Sequence, residues 1–199
     1  MVKNVIFDMG NVLSVYDPQK YMRKLTDDAR AADAVTRELF GGPEWRQLDA
    51  GTISEDAAVA RVQARIPRYA AQVRRAMDEW SNHFVPMPGM QGLVARLKAK
   101  GYGLYLLSNA GLSFFSYYKK AEVFRYFDGF VISAKEKLLK PDPALYRRLL
   151  DRYRLKAEEC LFIDDLRENI EGAERVGIKG HCFAGSEELE RYLKRSGIL

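Results

Sequence analysis

The stretch that decides the fold is Val5-Ile6-Phe7-Asp8-Met9-Gly10-Asn11-Val12-Leu13, close to the start of the chain. It begins as a short apolar run, changes abruptly at an aspartate and continues with Gly-Asn. Such a run predicts a buried strand whose carboxyl end delivers Asp8 to the edge of a sheet. Ligands bind at that edge in open parallel sheets, so other reactive side chains should converge on Asp8 from the ends of later strands.

The bulk composition indicates one folded domain with a modest inserted one. The chain has 199 residues, of which 47% are hydrophobic, and no apolar run reaches the length of a membrane span. The first four residues lead directly into the first strand and leave no room for a signal peptide, so we expect a cytoplasmic protein. Cys160 and Cys182 both lie in apolar runs. We expect them to be small core residues, without a disulfide or the spacing of a metal site.

The charge pattern argues against a nucleic-acid partner. The formal net charge is +5, but Lys and Arg are spread along helical segments and mixed with Glu and Asp. That distribution is typical of a solvated surface and not of a basic binding patch. We therefore expect a small-molecule partner, no nucleic acid and no membrane, and a monomer or homodimer.

Two kinds of pattern divide the chain. Residues 15–86 show helical spacings and no convincing strand, and they end at the hinge-like Pro86-Met87-Pro88-Gly89. Beyond this point, strand-like apolar runs alternate with helical patterns, which predicts a parallel sheet covered on both faces. We therefore predict a Rossmann-like α/β core domain, residues 1–14 and 87–199, with a helical cap domain, residues 15–86, inserted after the first strand.

Four polar clusters stand at or just beyond apolar runs: Asp8, Ser108-Asn109, Lys140 before Pro141, and Asp164-Asp165. Each cluster alone is weak evidence for a site, because a single Asp or a Ser-Asn pair is more often a turn or cap residue. The Asp-Asp pair is more informative, since adjacent carboxylates repel unless a cation or donor is close. Taken together, in this order, the four clusters predict one site.

The chemistry of these residues fits phosphoryl transfer through an aspartyl-phosphate. The Asp8 carboxylate is a plausible nucleophile towards phosphorus, but attack of an anion on an anion requires positive charge. Mg²⁺ held by Asp8, a backbone carbonyl and the Asp164-Asp165 pair would supply it. Lys140 would be a second, fixed cation, and Ser108 with nearby N–H groups would bind the phosphoryl oxygens.

At this point the sequence resembles the haloacid dehalogenase-like (HAD) hydrolase superfamily. The resemblance covers the whole chain and is carried by Phe7–Leu13, Leu107-Ser108-Asn109, Lys140-Pro141-Asp142, and Phe162-Ile163-Asp164-Asp165 with Asn169. The Gly-Asn variant of the first motif, with the cap segment Leu48-Asp49-Ala50-Gly51-Thr52-Ile53-Ser54, is similar to a narrower branch. That branch includes bacterial α-D-glucose-1-phosphate phosphatases and the N-terminal domains of bifunctional epoxide hydrolases.

The resemblance implies a role for each matching position. Asp8 would be the nucleophile, Lys140 the charge stabiliser and Ser108, with Asn109, the substrate-binding pair. Asp165 would bind Mg²⁺ directly and Asp164 directly or through water. Asn169 either orients the acidic loop or lies on a helix surface.

One position departs from the family pattern. Most phosphatases of this superfamily carry a second aspartate two residues after the nucleophile, which protonates the leaving group; here that residue is Gly10. The carbonyl of Gly10 can still bind Mg²⁺, but glycine cannot act as a general acid, which typically raises the reaction rate about 10²–10⁴-fold. The substrate therefore has a leaving group that needs little protonation, such as a sugar-1-phosphate or acyl phosphate, or another group substitutes, or the protein hydrolyses poorly. Asp17 is the nearest acid in sequence, although a helix N-cap is the more common role for such a residue.

Five further residues are interpreted as structural. His83 and His181 have no motif partner. Tyr16, Trp45 and Arg46 could line a substrate pocket from the cap side, but core packing or a surface position is the expectation for each.

Three functions remain open. The first is a cytoplasmic Mg²⁺-dependent phosphatase for a small phosphorylated metabolite such as a sugar phosphate. The second is a weakly active or non-catalytic binder of phosphate ligands, suggested by Gly10. The third is a 2-haloacid dehalogenase, which would also use Asp8 but needs no metal, so the Asp164-Asp165 pair argues against it.

Overall fold

The computed structural model describes residues 1–80 and 82–199. The molecule is centred on a five-stranded sheet with the order β3-β2-β1-β4-β5. The strands are β1 (Asn4–Phe7), β2 (Gly103–Ser108), β3 (Gly129–Ile132), β4 (Cys160–Asp164) and β5 (Lys179–Cys182). Each neighbouring pair runs parallel. The predicted α/β fold with a parallel sheet is confirmed.

Helices connect these strands and cover them. They are α1 (Pro18–Leu25), α2 (Ala29–Val35), α3 (Pro43–Asp49), α4 (Glu55–Arg65), α5 (Ala70–Trp80), α6 (Met90–Ala99), α7 (Phe114–Tyr117), α8 (Ser133–Glu136), α9 (Pro143–Tyr153), α10 (Arg167–Glu174) and α11 (Ser186–Arg195). A π-helical turn spans Thr36–Phe40, and 3₁₀ turns span Pro67–Tyr69, Tyr118–Lys120, Glu122–Tyr126 and Ala157–Glu159. In the described part of the chain, no helix is both long enough and apolar enough to cross a membrane.

Both faces of the sheet are buried. In β1, Val5 and Phe7 join a cluster with residues of α6 and α11, while Ile6 joins a second cluster with residues of α9 and α10. This division follows from the strand geometry, in which successive side chains point to opposite faces. An apolar run with no polar alternation therefore becomes the central strand, and its carboxyl end lies in the middle of one edge.

The helices α1 to α5 pack around a cluster of their own. Its fully buried members include Met22, Leu39, Val62 and Val73. The chain leaves the core and returns to it side by side: Val15 N donates to Val85 O (2.8 Å) and Met87 N donates to Leu13 O (2.9 Å). The separate cluster and the paired crossing strands support the predicted division into core and cap domains, which stays a prediction. Residues 15–86 are called the insert from here on.

The two cysteines lie in different environments. Cys160 is buried at the start of β4, as expected, and burial raises the pKa of its thiol to about 11. Cys182 is exposed at the end of β5, so the expectation of a core residue is wrong there. β5 is an edge strand with only β4 beside it, and the apolar run in the sequence does not reveal which strand lies at an edge.

Candidate active site

The strand order places three of the predicted clusters side by side. β1 lies between β2 and β4, so Asp8 follows the middle strand, Ser108 ends one neighbour and Asp164 ends the other. The backbone continues this alignment, since Asp8 N donates to Ile163 O (2.9 Å). Asp8, Ser108 and Asp164 are all buried. The convergence expected from the sequence is therefore present in the fold.

Lys140 enters the same edge from the loop after α8. Its side chain is 1% exposed, and its Nζ lies 2.8 Å from Asp8 Oδ1 and 2.6 Å from Asp164 Oδ2. The Asn109 side chain holds the backbone of this lysine: Asn109 Oδ1 accepts from Lys140 N (2.8 Å), and Asn109 Nδ2 donates to Lys140 O (3.2 Å). Asn109 thus reaches across from the end of β2 to set the position of Lys140, and it also lines the cavity described below.

The electrostatics of this pair follow from its burial. Burial raises the pKa of Asp8 to about 6, against the opposing charge of Lys140, and the charge of Asp164 adds to the rise. Burial alone lowers the pKa of Lys140, but Asp8 and Asp164 raise it by more, so its net shift is upward. At neutral pH the lysine is therefore charged and Asp8 is mainly a carboxylate, the form that can act as a nucleophile.

Asp164 is surrounded by donors. Its Oδ2 accepts from Lys140 Nζ (2.6 Å) and Asn169 Nδ2 (3.1 Å), and its Oδ1 accepts from Leu166 N (2.9 Å) and Asn169 Nδ2 (2.9 Å). A carboxylate offers about four acceptor positions, so these contacts occupy most of its capacity. Asn169 is buried and orients the acidic loop, which excludes its alternative place on a helix surface.

Asp165 completes a group of acidic oxygens. Carboxylate oxygens of Asp8, Asp164 and Asp165 lie within 4.8 Å of one another. Burial raises the pKa of Asp165, and the hydrogen bond from Asn11 Nδ2 to its Oδ2 (3.3 Å) acts in the opposite direction. Asn11 Oδ1 in turn accepts from Tyr16 N (3.1 Å), so one side chain connects the acidic group to the start of the insert. A set of oxygen donors with converging negative charge fits Mg²⁺.

A cavity of about 90 Å³ lies between the insert and the core, beside Met9 and Gly10, the two residues that follow Asp8. Six of its lining residues are Phe, Tyr or Trp, and the lining includes Gly10, Tyr16, Trp45, Asp49, Trp80 and Tyr117. Tyr16 and Trp45 line this cavity, and they also occupy the expected positions, since Tyr16 is exposed and Trp45 packs against the cluster of the insert. Arg46 is exposed, as expected.

The two histidines have aromatic neighbours. His83 lines the cavity, its ring lies 4.5 Å from that of Tyr21 between centroids, and burial lowers its pKa. His181 lies outside the cavity, stacks on Tyr192 at 3.9 Å and has its Nε2 2.9 Å from Glu188 Oε2. The structural interpretation holds for His181, whereas His83 belongs to the wall of the candidate pocket.

Asp17, the nearest acid in sequence, is used elsewhere. It is the N-cap of α1, and its Oδ1 accepts from Lys20 N (2.8 Å). The Asp17-Pro18 pair is thus a helix start, as its sequence pattern indicates. The structure gives no support to Asp17 as a replacement acid.

Two residues that sequence reasoning missed join the insert to the core. Ser133, directly after β3, is fully buried; its Oγ donates to Asp49 O (2.5 Å) and accepts from Ala110 N (2.9 Å). Asp49 ends α3 and lines the cavity. Burial, together with the charge of Asp8, raises the pKa of Asp49 to about 7. Asp49 lies in a segment that carried the resemblance but received no role, and Ser133 follows its strand much as Ser108 ends β2.

Proteins with similar sequences include phosphatases. The chain is 26% identical to a sesquiterpene phosphatase of Aspergillus oryzae over 179 residues, which are 89% of this chain and 88% of that protein. It is 29% identical to a glyceraldehyde 3-phosphate phosphatase of Pyrococcus abyssi over 99 residues, which are 49% of this chain and 42% of that protein.

Solved structures show the same fold. A HAD family enzyme of Bacteroides thetaiotaomicron, crystallised with magnesium and inorganic phosphate, superposes with a TM-score of 0.74 at 21% identity, covering 96% of this chain and 99% of that one. The family model of haloacid dehalogenase-like hydrolases matches residues 2–177. The resemblance inferred from four short motifs is confirmed, and this chain belongs to the haloacid dehalogenase-like hydrolases.

Proposed function

We propose that this hydrolase is a Mg²⁺-dependent phosphatase that acts on a small phosphorylated metabolite through an aspartyl-phosphate on Asp8. The observation that carries the proposal is the convergence of the Asp8 carboxylate, the Lys140 ammonium and a group of three acidic side chains at one sheet edge. A buried carboxylate beside a buried lysine and a cation site is the arrangement that attack on a phosphate ester requires.

The donor set supports a role for each acidic residue. Asp8 and Asp165, with the Gly10 carbonyl, would hold Mg²⁺ directly. Asp164 already accepts from Lys140, Leu166 N and Asn169, which supports a contact through water. When bound, Mg²⁺ would neutralise negative charge on the phosphoryl group.

The chain's own residues account for the bond changes. An Asp8 carboxylate oxygen attacks phosphorus, and the bond from phosphorus to the ester oxygen breaks. Water then attacks the phosphorus of the aspartyl-phosphate and releases phosphate, restoring Asp8. Lys140 stays charged beside Asp8 throughout, and Ser108 with backbone N–H groups at the end of β2 would bind the phosphoryl oxygens. Asn109 holds Lys140 in place through its backbone.

The cavity walls support an apolar alcohol part in the substrate. Tyr16, Trp45, Trp80 and Tyr117 offer aromatic faces, and such walls favour aromatic or hydrocarbon groups. The similarity to a sesquiterpene phosphatase, whose name states an apolar substrate, also supports an apolar alcohol part. The similarity to a glyceraldehyde 3-phosphate phosphatase keeps a polar, sugar-like phosphate as the second candidate.

The competing functions are weaker on specific grounds. A dehalogenase needs no metal, so it leaves the three-carboxylate group unexplained. The hypothesis of a non-catalytic binder rests on Gly10 alone. Glycine at this position removes an acidic side chain, but the nucleophile Asp8 is still present. A cytoplasmic location stays a proposal, supported by two free cysteines, and the choice between monomer and homodimer stays open.

A panel of phosphate esters tests the proposed function. We expect purified protein to release phosphate from p-nitrophenyl phosphate and from apolar alkyl phosphates with Mg²⁺, and to lose at least about 10²-fold of this activity with EDTA, because the metal supplies several kcal/mol of charge stabilisation. Phosphate release is the measurement. Ester binding without turnover would favour the binder, and halide release from a 2-haloacid without Mg²⁺ would favour the dehalogenase.

A further inference from the structure

We propose that Asp49, at the end of α3 in the insert, is the acid–base group of this site and does the work that Gly10 cannot do. The inference rests on the proposed function and adds a catalytic residue to it. Asp49 lines the same cavity as Gly10, the residue that stands where most phosphatases of the superfamily carry the acid.

The backbone around Asp49 is fastened to the core. Ser133 Oγ donates to Asp49 O (2.5 Å) and accepts from Ala110 N, just beyond the phosphate-binding residues at the end of β2. Two residues later, Gly51 has a φ of +65°, and a Cβ there would lie 2.1 Å from Ala134 O. Only glycine permits this close approach of insert to core. The Asp49 carbonyl is therefore fixed relative to the loop that would bind phosphate.

The Asp49 carboxyl is placed for reaction and not for helix stability. An acidic side chain at the C-terminal end of a helix opposes the helix dipole, which favours cations there. In the described part of the chain it forms no ion pair, and the charges it senses are those of Asp8 and Lys140. A half-buried carboxyl group that lines the cavity beside Gly10 and is held by no ion pair in the described residues has the environment of a general acid.

Other acids near the cavity fit the role less well. Asp17 caps α1. His83 lines the cavity, but burial and the charge of Lys24 lower its pKa, so it is a poor proton donor at neutral pH. Glu55 also lines the cavity, but it lies in the first turn of α4, where an acidic side chain already has a structural role in stabilising the helix dipole.

The two steps balance with Asp49 in this role. As Asp8 attacks phosphorus and the ester bond breaks, the proton of the Asp49 carboxyl group moves to the leaving oxygen, giving a neutral alcohol and an Asp49 carboxylate. In the second step water attacks phosphorus, its proton moves to Asp49, and the bond between phosphorus and Asp8 breaks. The site ends with Asp8 ionised and Asp49 protonated, as it began.

A matched pair of esters tests this role. p-Nitrophenolate leaves without protonation, whereas the alkoxide of benzyl alcohol needs a proton, and the two esters are similar in shape. With Mg²⁺, Asp49→Asn should reduce kcat/KM for benzyl phosphate about 10²–10⁴-fold, the usual contribution of a general acid. For p-nitrophenyl phosphate kcat/KM should fall less than about 10-fold, since it reports only the steps through release of the first product. A burst of p-nitrophenol should then precede slow turnover, because water attack lacks its base.

The pH profile is a second readout. In the wild-type enzyme, kcat/KM for benzyl phosphate should fall as the pH rises through the pKa of Asp49, and this limb should be missing in Asp49→Asn. The groups facing Asp49 are Asp8 and Lys140 from the core, Glu55 from α4, His83, and the phenols of Tyr16 and Tyr117. Charged groups on the elements packed against α3 have partners of their own: Glu136 of α8 with Arg152, and Glu38 of the π turn with Arg65.

Asp56→Asn is the matched control, because Asp56 is an exposed acid on the same insert, paired with Arg74. This variant should leave kcat/KM for both esters unchanged. Equal losses of kcat/KM for the two esters in Asp49→Asn, or an unchanged pH profile, would overturn the role of Asp49 while leaving the proposed function intact. A wild-type enzyme that hydrolyses neither ester with Mg²⁺ would overturn both.

Discussion

Replacing Asp8 with asparagine is expected to abolish Mg²⁺-dependent hydrolysis of p-nitrophenyl phosphate, a loss of about 10⁴-fold or more, the range seen when a catalytic nucleophile is removed. The amide of asparagine is nearly the same size as the carboxylate but cannot attack phosphorus. It also removes one of the three acidic groups that would hold the metal. Release of p-nitrophenol, followed with and without EDTA, measures the effect.

The fold should survive this change. Asp8 is one of two carboxylates beside Lys140, and Asp164 would still pair with the lysine at 2.6 Å. Removing Asp8 also relieves its repulsion with Asp164, which contributes to the raised pKa of Asp8. Asp17→Asn is the matched control: it sits on the same loop, and asparagine is as good an N-cap as aspartate. Undiminished activity in Asp8→Asn would remove Asp8 from the nucleophile role.

Replacing Lys140 with methionine is expected to damage both stability and activity. The variant leaves Asp8 and Asp164 buried without their cation, and breaking a buried ion pair in this way costs about 3–5 kcal/mol. Loss of a fixed positive charge beside the transferred phosphoryl group should also lower kcat about 10²–10³-fold. Chemical denaturation in EDTA, together with steady-state kinetics in Mg²⁺, measures the two effects.

The stability loss should depend on pH in a definite direction. Lys140 lowers the pKa of Asp8, so its removal raises that pKa further above the unfolded value. The folded variant then holds protons that the unfolded chain releases, and its free energy of unfolding falls as the pH rises. Relative to the wild type, we expect the variant to lose more free energy of unfolding at pH about 8 than at pH about 5. Lys135→Met, at an exposed lysine nearby, serves as the control. An equal loss in the free energy of unfolding at both pH values would contradict the buried pairing of Lys140 with Asp8 and Asp164.

Much of the site follows from the sequence because parallel strands end at one edge. Once β1, β2 and β4 are recognised as parallel strands, Asp8, Ser108 and Asp164 are expected at the same edge of the sheet, and the observed strand order makes them neighbours. Lys140 was predictable by its place between such strands and by the resemblance. The fold class required no more than the alternation of apolar runs and helical patterns after residue 87.

The remainder depends on how the insert sits on the core, which no local pattern encodes. Asp49 and Trp45 line the cavity because α3 packs against Ser133 and Ala134, a contact between segments far apart in the chain. The same limit explains Cys182, whose exposure depends on the position of β5 at the edge of the sheet. Tertiary docking, and not the propensity of single residues, decides these positions.

Chemical trapping of the phosphorylated aspartate tests the central claim most directly. Enzyme quenched in acid during turnover of p-nitrophenyl phosphate with Mg²⁺ is reduced with borohydride, which converts an aspartyl-phosphate to homoserine, and its peptides are analysed by mass spectrometry. The proposed mechanism predicts homoserine at position 8, in greater yield in Asp49→Asn because its second step is slow. An unmodified Asp8 in both proteins during demonstrated turnover, or a phosphate carried by another residue, would contradict it.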